Sequence, residues 1–428
     1  MLPGSTEPQH RRTTTRLNRW QRLSLTAASV LSLLAIALVG CGGGGHDRSD
    51  RADLAVPEQS PATAHSSTPA MPAPSHKSVG RGSLSANAPL PGMPPIASSA
   101  NLYADAGANM LSAAVKGDPY LIYVPNSGGA SVDVINPNTM QIVGHYATGT
   151  NPQHIVPSWD MKTLYATNDI GNSLTAFNPR TGKPVRTIAV NDPYNMYFTP
   201  NGRYAIVVSE ALRRLDFRDP HTFALRHRLS VPCPGIDHMD FSANGGYLIA
   251  SCEFSAQLVK INLHTMHVMG YLHLPGSSPQ DVKLDPTGRV FYVADRYNNG
   301  VWRIDGARFR KLGFMHTGAD AHGLYPSRDG KQLYVTNRRA GSVTVIDFAT
   351  HRKVATWHIA GGGTPDMGGV SPDGKVLWLA GRYSSTVYAL STKDGHLIAR
   401  IAVGLQPHGL CVWPQPGRYS LGHTGVTR

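Results

Sequence analysis

The chain has 428 residues, a formal net charge of +13 and a hydrophobic fraction of 41%. The basic residues are spread along the whole chain, and no stripe of basic and aromatic residues or nucleic-acid-binding motif is present. We therefore exclude a nucleic-acid partner. The charge indicates a soluble basic surface, or alternatively one that contacts anionic lipid or cell-wall polymer.

The first 41 residues have the pattern of a bacterial export signal. Arginines from Arg11 to Arg22 precede an apolar run from Leu23 to Gly40, which ends at Cys41. This ending resembles a lipobox, in which cleavage leaves the cysteine as a lipid-bearing N-terminus. We expect lipidation of Cys41, a membrane partner through that lipid, and a place in the bacterial cell envelope facing the periplasm or the exterior. The alternative is an uncleaved signal anchor.

A tether is predicted between this signal and the folded part of the chain. Residues 42–100 contain nine prolines and no aromatic residue, so they cannot bury enough apolar surface to offset the entropy of ordering. We predict a disordered Gly/Ser/Pro-rich tether over residues 42–108 and a folded domain over residues 109–428. The segment 101–117 is expected to lead into that domain and to cover its first part.

The rest of the chain repeats with a period of 41–44 residues. Each repeat begins with a short apolar strand that ends in a turn such as Asp329-Gly330, where the glycine supplies the positive φ of a tight hairpin. A second strand, a strand of alternating polarity and a fourth strand follow. One position of the second strand marks the seven copies: Tyr123, Tyr165, Ile206, Ile249, Tyr292, Tyr334 and Trp378.

These repeats predict an all-β fold, a seven-bladed β-propeller of four-stranded antiparallel blades. The first copy lacks an inner strand, whereas the last inner strand, near 407–413, has no blade after it. We therefore predict that the C-terminal strand completes the first blade. Such closure removes the exposed sheet edges that favour aggregation.

The run Leu333-Tyr334-Val335-Thr336-Asn337, with Asp329-Gly330 before it, resembles the YVTN family of β-propeller repeats. Leu164 to Asn168 and Phe291 to Asp295 fit the same pattern less closely. The resemblance covers residues 119–413 and implies the fold. Repeats of this family occur in surface proteins, in lactonase-like enzymes and in the haem d1 domain of cytochrome cd1 nitrite reductases, so the resemblance leaves the function open.

Three cysteines lie in the repeat region. Cys233 precedes the inner strand of the fourth blade and Cys252 ends the next strand, so the hairpin between them brings both to one face. We predict a Cys233–Cys252 disulfide in an oxidising envelope. Cys411 lies in an apolar strand and is interpreted as a small buried thiol.

The residues just after the start of each inner strand are expected to ring one mouth of the central channel, and loops after the second strands add arginines to that face. Convergent titratable groups in a concavity are the default binding-site hypothesis. The candidate ligand-binding residues are His154, Asn195, Asp237, His238, Asp281, His322, Asp366, His408, Arg296, Arg338 and Arg382.

Three interpretations of this mouth remain open. The first is recognition of a small polar ligand or an envelope protein, without catalysis, and we favour it. The second is a divalent metal or haem site in which His154, His238, His322 and His408 supply imidazoles, which would allow a metal-dependent, lactonase-like hydrolysis. The third is a structural role, since polar channel residues also hold water and join blades by hydrogen bonds.

Overall fold

The computed structural model describes residues 86–428. The predicted signal, Cys41 and most of the predicted tether lie outside these residues. Within the described range, none of the helices has the length and apolarity needed to cross a membrane.

The seven predicted blades are present, each an antiparallel sheet, which confirms the fold class. In chain order the strands of blades 1 to 3 are β1 (Leu121–Asn126), β2 (Ser131–Asn136), β3 (Gln141–Ala147); β4 (Pro152–Pro157), β5 (Leu164–Asn168), β6 (Ser173–Asn178), β7 (Lys183–Ala189); β8 (Asn195–Phe198), β9 (Ala205–Ser209), β10 (Arg214–Arg218) and β11 (Leu225–Ser230).

Blades 4 to 7 follow the same order of four strands each. They are β12 (Ile236–Phe241), β13 (Tyr247–Cys252), β14 (Gln257–Asn262), β15 (His267–His273); β16 (Pro279–Leu284), β17 (Val290–Asp295), β18 (Gly300–Asp305), β19 (Arg310–His316); β20 (Ala321–Pro326), β21 (Gln332–Asn337), β22 (Ser342–Asp347), β23 (Arg352–His358); β24 (Pro365–Val370), β25 (Val376–Gly381), β26 (Thr386–Ser391) and β27 (Leu397–Ala402).

Three strands from the C-terminal part and three short 3₁₀ helices complete the described elements. The strands are β28 (Cys411–Trp413), β29 (Ser420–Gly422) and β30 (Val426–Thr427), and the helices are η1 (Ala104–Ala106), η2 (Ser127–Gly129) and η3 (Glu253–Ser255). β28 pairs with β1, with Leu121 opposite Trp413, so the predicted closure of the ring by a C-terminal strand is present.

Burial falls from the first strand of a blade to the fourth. All six residues of β12 and of β13 are buried, whereas β15 alternates between exposed and half-buried residues. The apolar core lies between neighbouring blades. For example, Ile122, Trp378 and Val412 share one cluster, which joins blade 7 to the closed blade 1.

The Asn of the repeat motif ties the second strand of a blade to the third. Asn168 Nδ2 donates to Ser173 Oγ and Thr175 Oγ1, and Asn337 Nδ2 donates in the same way to Ser342 and Thr344. Each amide satisfies two hydroxyl groups across a short loop, so the motif fixes the loop that follows the second strand.

The two axial ends of the propeller differ. We call the end that carries the loops between second and third strands the mouth end, and the end that carries the turns between first and second strands the turn end. At the turn end, an N-terminal segment (residues 86–117) runs across successive turns: the backbone N–H groups of Leu90, Leu102 and Asn109 donate to Asn244, Pro286 and Pro372.

The boundary between tether and propeller therefore lies earlier than residue 109. Leu90, Leu102, Tyr103 and Ala106 are all buried against the blades. Tyr103 donates its hydroxyl to the Leu284 carbonyl at 2.6 Å. The few apolar residues of this stretch are enough for it to pack, because they lie over a ring of turns that already exists. Only the part of the predicted tether up to residue 85 lies outside the described residues.

A tail hairpin (residues 414–428) enters the channel from the turn end. Its strands β29 and β30 extend the sheet of blade 3 to six strands, through the pair Gly422 and Tyr197. Near the turn end Ser420 N donates to Trp159 O, and deeper in the channel His423 N donates to Met196 O. The tail hairpin thus runs inside the channel from the turn end to the level of His423.

Candidate ligand-binding site at the channel mouth

β-bulges place the predicted mouth residues. In β4 the pairing jumps from Pro152–Asn168 to Ile155–Ala166, so two residues, Gln153 and His154, lie opposite the single residue Thr167. The same shift occurs in β12, β16, β20 and β24. A bulge turns side chains out of the regular alternation, which directs these residues towards the channel axis.

The Thr of the repeat motif supports these bulges. His154 N donates to Thr167 Oγ1, and His238 N donates to Ser251 Oγ, at 3.1 Å in each case. In β20 the equivalent bond joins Gly323 N to Thr336 Oγ1. In each case a hydroxyl on the second strand accepts from a backbone N–H that the bulge leaves without a partner in the sheet. The Thr or Ser at this repeat position thus stabilises the bulge that carries the mouth residues, which vary from blade to blade.

Five imidazoles meet on the axis below the mouth. Adjacent ring centroids lie 4.8 Å apart for His154 and His408, 5.4 Å for His154 and His238, and 5.8 Å for His322 and His408. His423 of the tail hairpin lies 4.9 Å from His238. Four of the five were predicted for this mouth, and we call the set the histidine layer: His154, His238, His322, His408 and His423.

Burial keeps the histidine layer neutral. Removal from water lowers the pKa of His238 to about 4 and lowers the pKa of His154 well below its ordinary value, with the neighbouring imidazoles adding to the effect on His154. His322, His408 and His423 shift in the same direction for the same first reason. Near neutral pH the layer therefore offers lone pairs rather than positive charge.

Two of these rings have one nitrogen fixed and the other unpartnered. His154 Nδ1 lies 3.0 Å from the Tyr194 carbonyl oxygen, so it carries the proton and donates. His408 Nδ1 lies 2.7 Å from Asp366 Oδ2. The Nε2 atoms of both residues are buried and have no hydrogen bond within the described residues. Each Nε2 is therefore an available base or ligand atom.

Asp366 lies beneath the mouth, surrounded by two arginines and two imidazoles. Its Oδ1 atom lies 3.3 Å from Arg338 Nη1 and from His322 Nδ1, and its Oδ2 atom lies 4.0 Å from Arg382 Nη1. Burial works against the charge of Asp366, but His322 and Arg338 outweigh it and hold its pKa below the usual value. Asp366 is therefore ionised.

The carboxylates on the other side of the mouth behave differently. Burial, together with Asp237 and Glu253, raises the pKa of Glu210 to about 9. Burial also raises the pKa of Asp237, with Glu253 and Asp281 adding to it. Asp237 Oδ1 lies 2.6 Å from His238 Nδ1, although their geometry is not that of a hydrogen bond. Glu210 is therefore protonated at neutral pH, and the pKa of Asp237 shifts in the same direction.

Above the histidine layer lies an open cleft of about 560 Å³. His322, His408, Arg296, Arg338 and Arg382 form its polar side, and Phe254 and Tyr383 stand at its rim with 67% and 62% of their surfaces exposed. The Arg338 guanidinium carbon lies 5.4 Å from the Tyr383 ring centroid. The cleft thus combines cations, neutral acids and exposed aromatic faces.

The structure divides the predicted residues into two groups. Five line the cleft, with Asp366 below them, and His154, Asp237 and His238 lie deeper. Asn195 and Asp281 instead hold the fold together: Asn195 Nδ2 donates to His423 Nδ1 at 3.0 Å. Asp281 Oδ2 accepts from Leu324 N of the next blade at 2.9 Å.

The cysteines lie where the hairpin of blade 4 places them. The structure joins Cys233 and Cys252 in a disulfide, with their Cα atoms 5.7 Å apart. Cys411 is a free, buried thiol. The disulfide lies beside the mouth loop that carries Phe254.

Three residues of the site are not predicted from the sequence: His423, Phe254 and Tyr383. His423 lies outside the repeats, so it has no repeat position from which a place in the channel could be predicted. Phe254 and Tyr383 occupy one position of the repeat, two residues after the end of the second strand, where Ile170 and Tyr297 also stand exposed. Large apolar residues at a recurrent loop position are a signal that could have been found.

Comparisons with known proteins place the fold in a family. A family model described as YNCE-like beta-propeller matches residues 84–416. The chain therefore belongs to the YNCE-like β-propeller family. A search of curated proteins found no sequence match.

Solved structures with similar folds have low sequence identity to this chain. The periplasmic gluconolactonase PpgL of Pseudomonas aeruginosa is 19% identical, with a TM-score of 0.59, covering 69% of this chain and 99% of its own. A putative 6-phosphogluconolactonase of Bacteroides fragilis is 19% identical, with a TM-score of 0.56, covering 70% and 99%. The dihydro-heme d1 dehydrogenase NirN, solved with DHE, is 14% identical, with a TM-score of 0.54, covering 75% and 82%. These likenesses show the fold.

Proposed function

We propose that this YNCE-like propeller binds, at its mouth cleft, a small polar molecule that carries an anionic group and a ring. The single observation that carries the proposal is Arg382. Its Nη1 atom is buried and has no hydrogen bond within the described residues, although the side chain lines the cleft. A buried guanidinium nitrogen without an acceptor favours a carboxylate or phosphate from outside the chain.

The other two cleft arginines already have carboxylate partners. Arg338 donates through Nε and Nη2 to both oxygens of Asp320. Arg296 donates to Glu253 Oε1 at 2.9 Å. Arg382 approaches only Asp366, at 4.0 Å, and Asp366 is shared with three other side chains. Arg382 is therefore the cation with the greatest capacity for a new anion.

The rim favours a ligand with a flat or ring-shaped part. Phe254 and Tyr383 present exposed faces beside the polar side of the cleft. Aromatic faces stabilise a stacked ring through buried area, and a site that combines them with a few placed polar groups is typical of small-molecule binding.

The test compares probes that share a ring and differ in charge. We expect D-glucuronate and glucose 6-phosphate to bind to the full-length protein more tightly than glucose, by isothermal titration calorimetry. Replacing Arg382 by Ala should remove that preference, weakening both anions by roughly 10–100-fold, because a charge-assisted hydrogen bond contributes about 1.5–3 kcal/mol. Arg352→Ala, on the exposed outer strand β23, is the matched control. Equal binding of glucose and the two anions, or unchanged binding in Arg382→Ala, would overturn the proposal.

A second candidate, lactone hydrolysis, is favoured by His408. Its Nδ1 faces the ionised Asp366, and its Nε2 has no hydrogen-bond partner in the described part of the chain. This is the arrangement of a general base oriented by a carboxylate. His408 Nε2 would take a proton from a water molecule as its oxygen attacks the lactone carbonyl. The ring C–O bond then breaks, and the released alkoxide is protonated to give a hydroxy acid.

This candidate is tested with D-glucono-1,5-lactone in a pH-stat assay. We expect turnover above the spontaneous rate that His408→Gln abolishes while glucuronate binding persists. The absence of turnover leaves a binding protein and rejects the hydrolase. A Soret band in the spectrum of the purified protein would instead support the haem alternative.

We also propose that the chain is held in the cell envelope by lipid on Cys41, facing the periplasm or the exterior. The basic and apolar runs before Cys41 support this. Metabolic labelling with a tritiated fatty acid should mark the wild-type protein and not Cys41→Ser, and the variant should leave the membrane fraction. Labelling of both forms would reject Cys41 as the lipidated residue.

A further inference from the structure

The deepest part of the histidine layer brings together three imidazoles from distant parts of the chain. His154 comes from blade 2, His238 from blade 4 and His423 from the tail hairpin, and all three are buried. Each offers one nitrogen such that these atoms lie within 4.8 Å of one another. The structure thus groups His154 and His238 with a residue from outside the repeats, whereas His322 and His408 line the cleft.

Four of the six ring nitrogens of this trio are left without a hydrogen bond among the described residues. His154 Nε2, both nitrogens of His238 and His423 Nε2 are buried and have no hydrogen bond within the described residues. A buried polar atom in a native fold almost always has a partner in the protein, in water or in an ion. The three Nε2 atoms therefore favour an occupant that the described residues do not supply.

We propose that His154, His238 and His423 bind one divalent transition-metal ion of the zinc type. Imidazole is a preferred ligand of Zn²⁺, Cu²⁺ and Ni²⁺, and three histidines leave a coordination position for water or a ligand. The inference does not depend on the proposed function, because the trio lies beneath the cleft and does not include Arg382.

The rings must move slightly to close on a metal. Tetrahedral geometry at Zn–N distances of 2.0–2.1 Å places ligand nitrogens about 3.3 Å apart, which is closer than the limit of 4.8 Å that the trio satisfies. His154 is held by its bond to the Tyr194 carbonyl. His423 lies in the tail hairpin, which is held to blade 3 by a short ladder, so His423 is the ring that can approach.

Acidic side chains lie beside two of the three imidazoles. Asp237 Oδ1 lies 2.6 Å from His238 Nδ1, and Asp281 Oδ1 lies 3.9 Å from His423 Nε2. Metal-bound histidines commonly donate their second ring nitrogen to a carboxylate or carbonyl. His154 Nδ1 already donates to the Tyr194 carbonyl, and His238 Nδ1 lies next to Asp237.

The outer partner of His423 departs from this pattern. Asn195 Oδ1 accepts from Met196 N, so the amide presents its Nδ2 donor to His423 Nδ1. This bond favours the tautomer with the proton on Nε2, which a metal must displace. An acceptor at position 195 should therefore strengthen metal binding, and this provides a gain-of-affinity variant.

The experiment titrates Co²⁺ into full-length protein that has been stripped with EDTA. We expect one ion per chain, with the intense visible bands of tetrahedral cobalt, and displacement of the bands by Zn²⁺. His423→Ala should weaken Co²⁺ binding by roughly 100-fold or more, and Asn195→Asp should tighten it by roughly 10-fold. His322→Ala, a neighbouring ring outside the trio, is the matched control and should bind as the wild type does.

Several outcomes would overturn the site. The absence of stoichiometric Co²⁺ binding by the wild type would show that water or another molecule occupies these nitrogens. Equal binding by wild type and His423→Ala, or a loss in His322→Ala as large as in His423→Ala, would reject the trio as ligands. If His423→Ala does not fold, unchanged or weaker binding by Asn195→Asp rejects the site instead. Glucuronate binding, measured on the stripped protein, separates this failure from failure of the proposed function.

Discussion

Two cavities lie at opposite ends of the channel, and they differ in how their polar groups are paired. The cavity at the turn end lies among Tyr103, Arg328 and Gln415. The other is the mouth cleft described above. At the turn end Arg328 donates to two backbone carbonyls and to Gln415 Oε1. At the mouth end Arg382 Nη1 and His408 Nε2 have no such partner among residues 86–428.

This difference distinguishes polar groups that stabilise the fold from polar groups that are available to a ligand. At the turn end, the N-terminal segment and the tail hairpin supply partners to groups that the blades leave buried, as in the pair of Arg428 and Asp240. At the mouth end no segment of the described chain does so. Among the described residues, buried polar atoms without a hydrogen bond line the mouth cleft and not the turn-end cavity, which marks the mouth as the better candidate for a binding site.

The largest expected effect concerns the buried ion pair at the turn end. Arg428 Nη2 lies 3.0 Å from Asp240 Oδ1, and its guanidinium carbon lies 4.8 Å from the Tyr103 ring centroid. Arg428→Met should lower the free energy of unfolding by about 3–5 kcal/mol, because it leaves Asp240 buried without its cation. Urea denaturation measures this loss.

Lys331→Met is the control for that prediction. Lys331 pairs with Asp329 at 3.8 Å on the exposed surface, and such a pair contributes about 0–1 kcal/mol. If both variants lose equally little, the turn end is not stabilised by this ion pair, and the contrast between the two ends fails.

The second effect concerns the disulfide at the mouth end. Cys233 and Cys252 close a loop with a sequence separation of 19, for which the loop-entropy model gives about 3 kcal/mol. Replacing both cysteines by Ala should lower the unfolding free energy by that amount. Dithiothreitol should lower the melting temperature of the wild type but not of the double variant; equal sensitivity would contradict the assignment.

The third effect is a dependence on pH at the acidic side of the mouth. The pKa of Glu210 is raised to about 9 in the folded state, first by burial. A carboxyl with a raised pKa makes its full contribution below the unfolded pKa and loses it as pH rises towards the folded pKa. Glu210→Gln keeps the neutral form, so at pH 9 it should be more stable than the wild type by about 1–3 kcal/mol, and at pH 4 nearly equal.

Thermal unfolding over this pH range checks the prediction, and Asp329→Asn, at an exposed turn, is the control. A stability gain of Glu210→Gln that is the same at pH 4 and pH 9 would show that the fold does not raise the pKa of Glu210. The acidic side of the mouth would then be no different from an ordinary surface.

The smallest expected effect is again at the mouth. The Arg382 side chain is 19% exposed, and its nearest carboxylate is held by other cations. Arg382→Met should therefore change the unfolding free energy by no more than about 0.5 kcal/mol, in contrast to Arg428→Met. A loss as large as that of Arg428→Met would mean that Arg382 stabilises the fold rather than serving a ligand.

The repeat made the blades and their bulged pairs predictable, because shared residues keep a fixed register. Thr167 and Thr336 mark where a bulge is supported, and His154 and His322 follow from that register. His423 could not be predicted, since the tail hairpin has no counterpart in the repeat. The packing of Leu102 and Tyr103 was also not predicted. Composition indicates how much apolar surface a segment can bury, but it does not show that the turns of the propeller offer a surface to pack against. The roles of Asn195 and Asp281 depend on their hydrogen bonds to His423 and Leu324. The sequence does not show which residues of separate segments come into contact, so these roles could not be predicted.

Ring closure has a consequence for the newly made chain. β1 pairs with β28, so the contact between Leu121 and Trp413 can form only after all the blades between them have been synthesised. Contacts between such distant residues form slowly. Until then, β1 keeps an open edge on a strand whose six residues are all buried in the finished fold, which is the kind of edge that recruits other chains. The nascent protein is therefore most vulnerable to aggregation just before its last strand arrives, and its biogenesis must protect one edge of one blade.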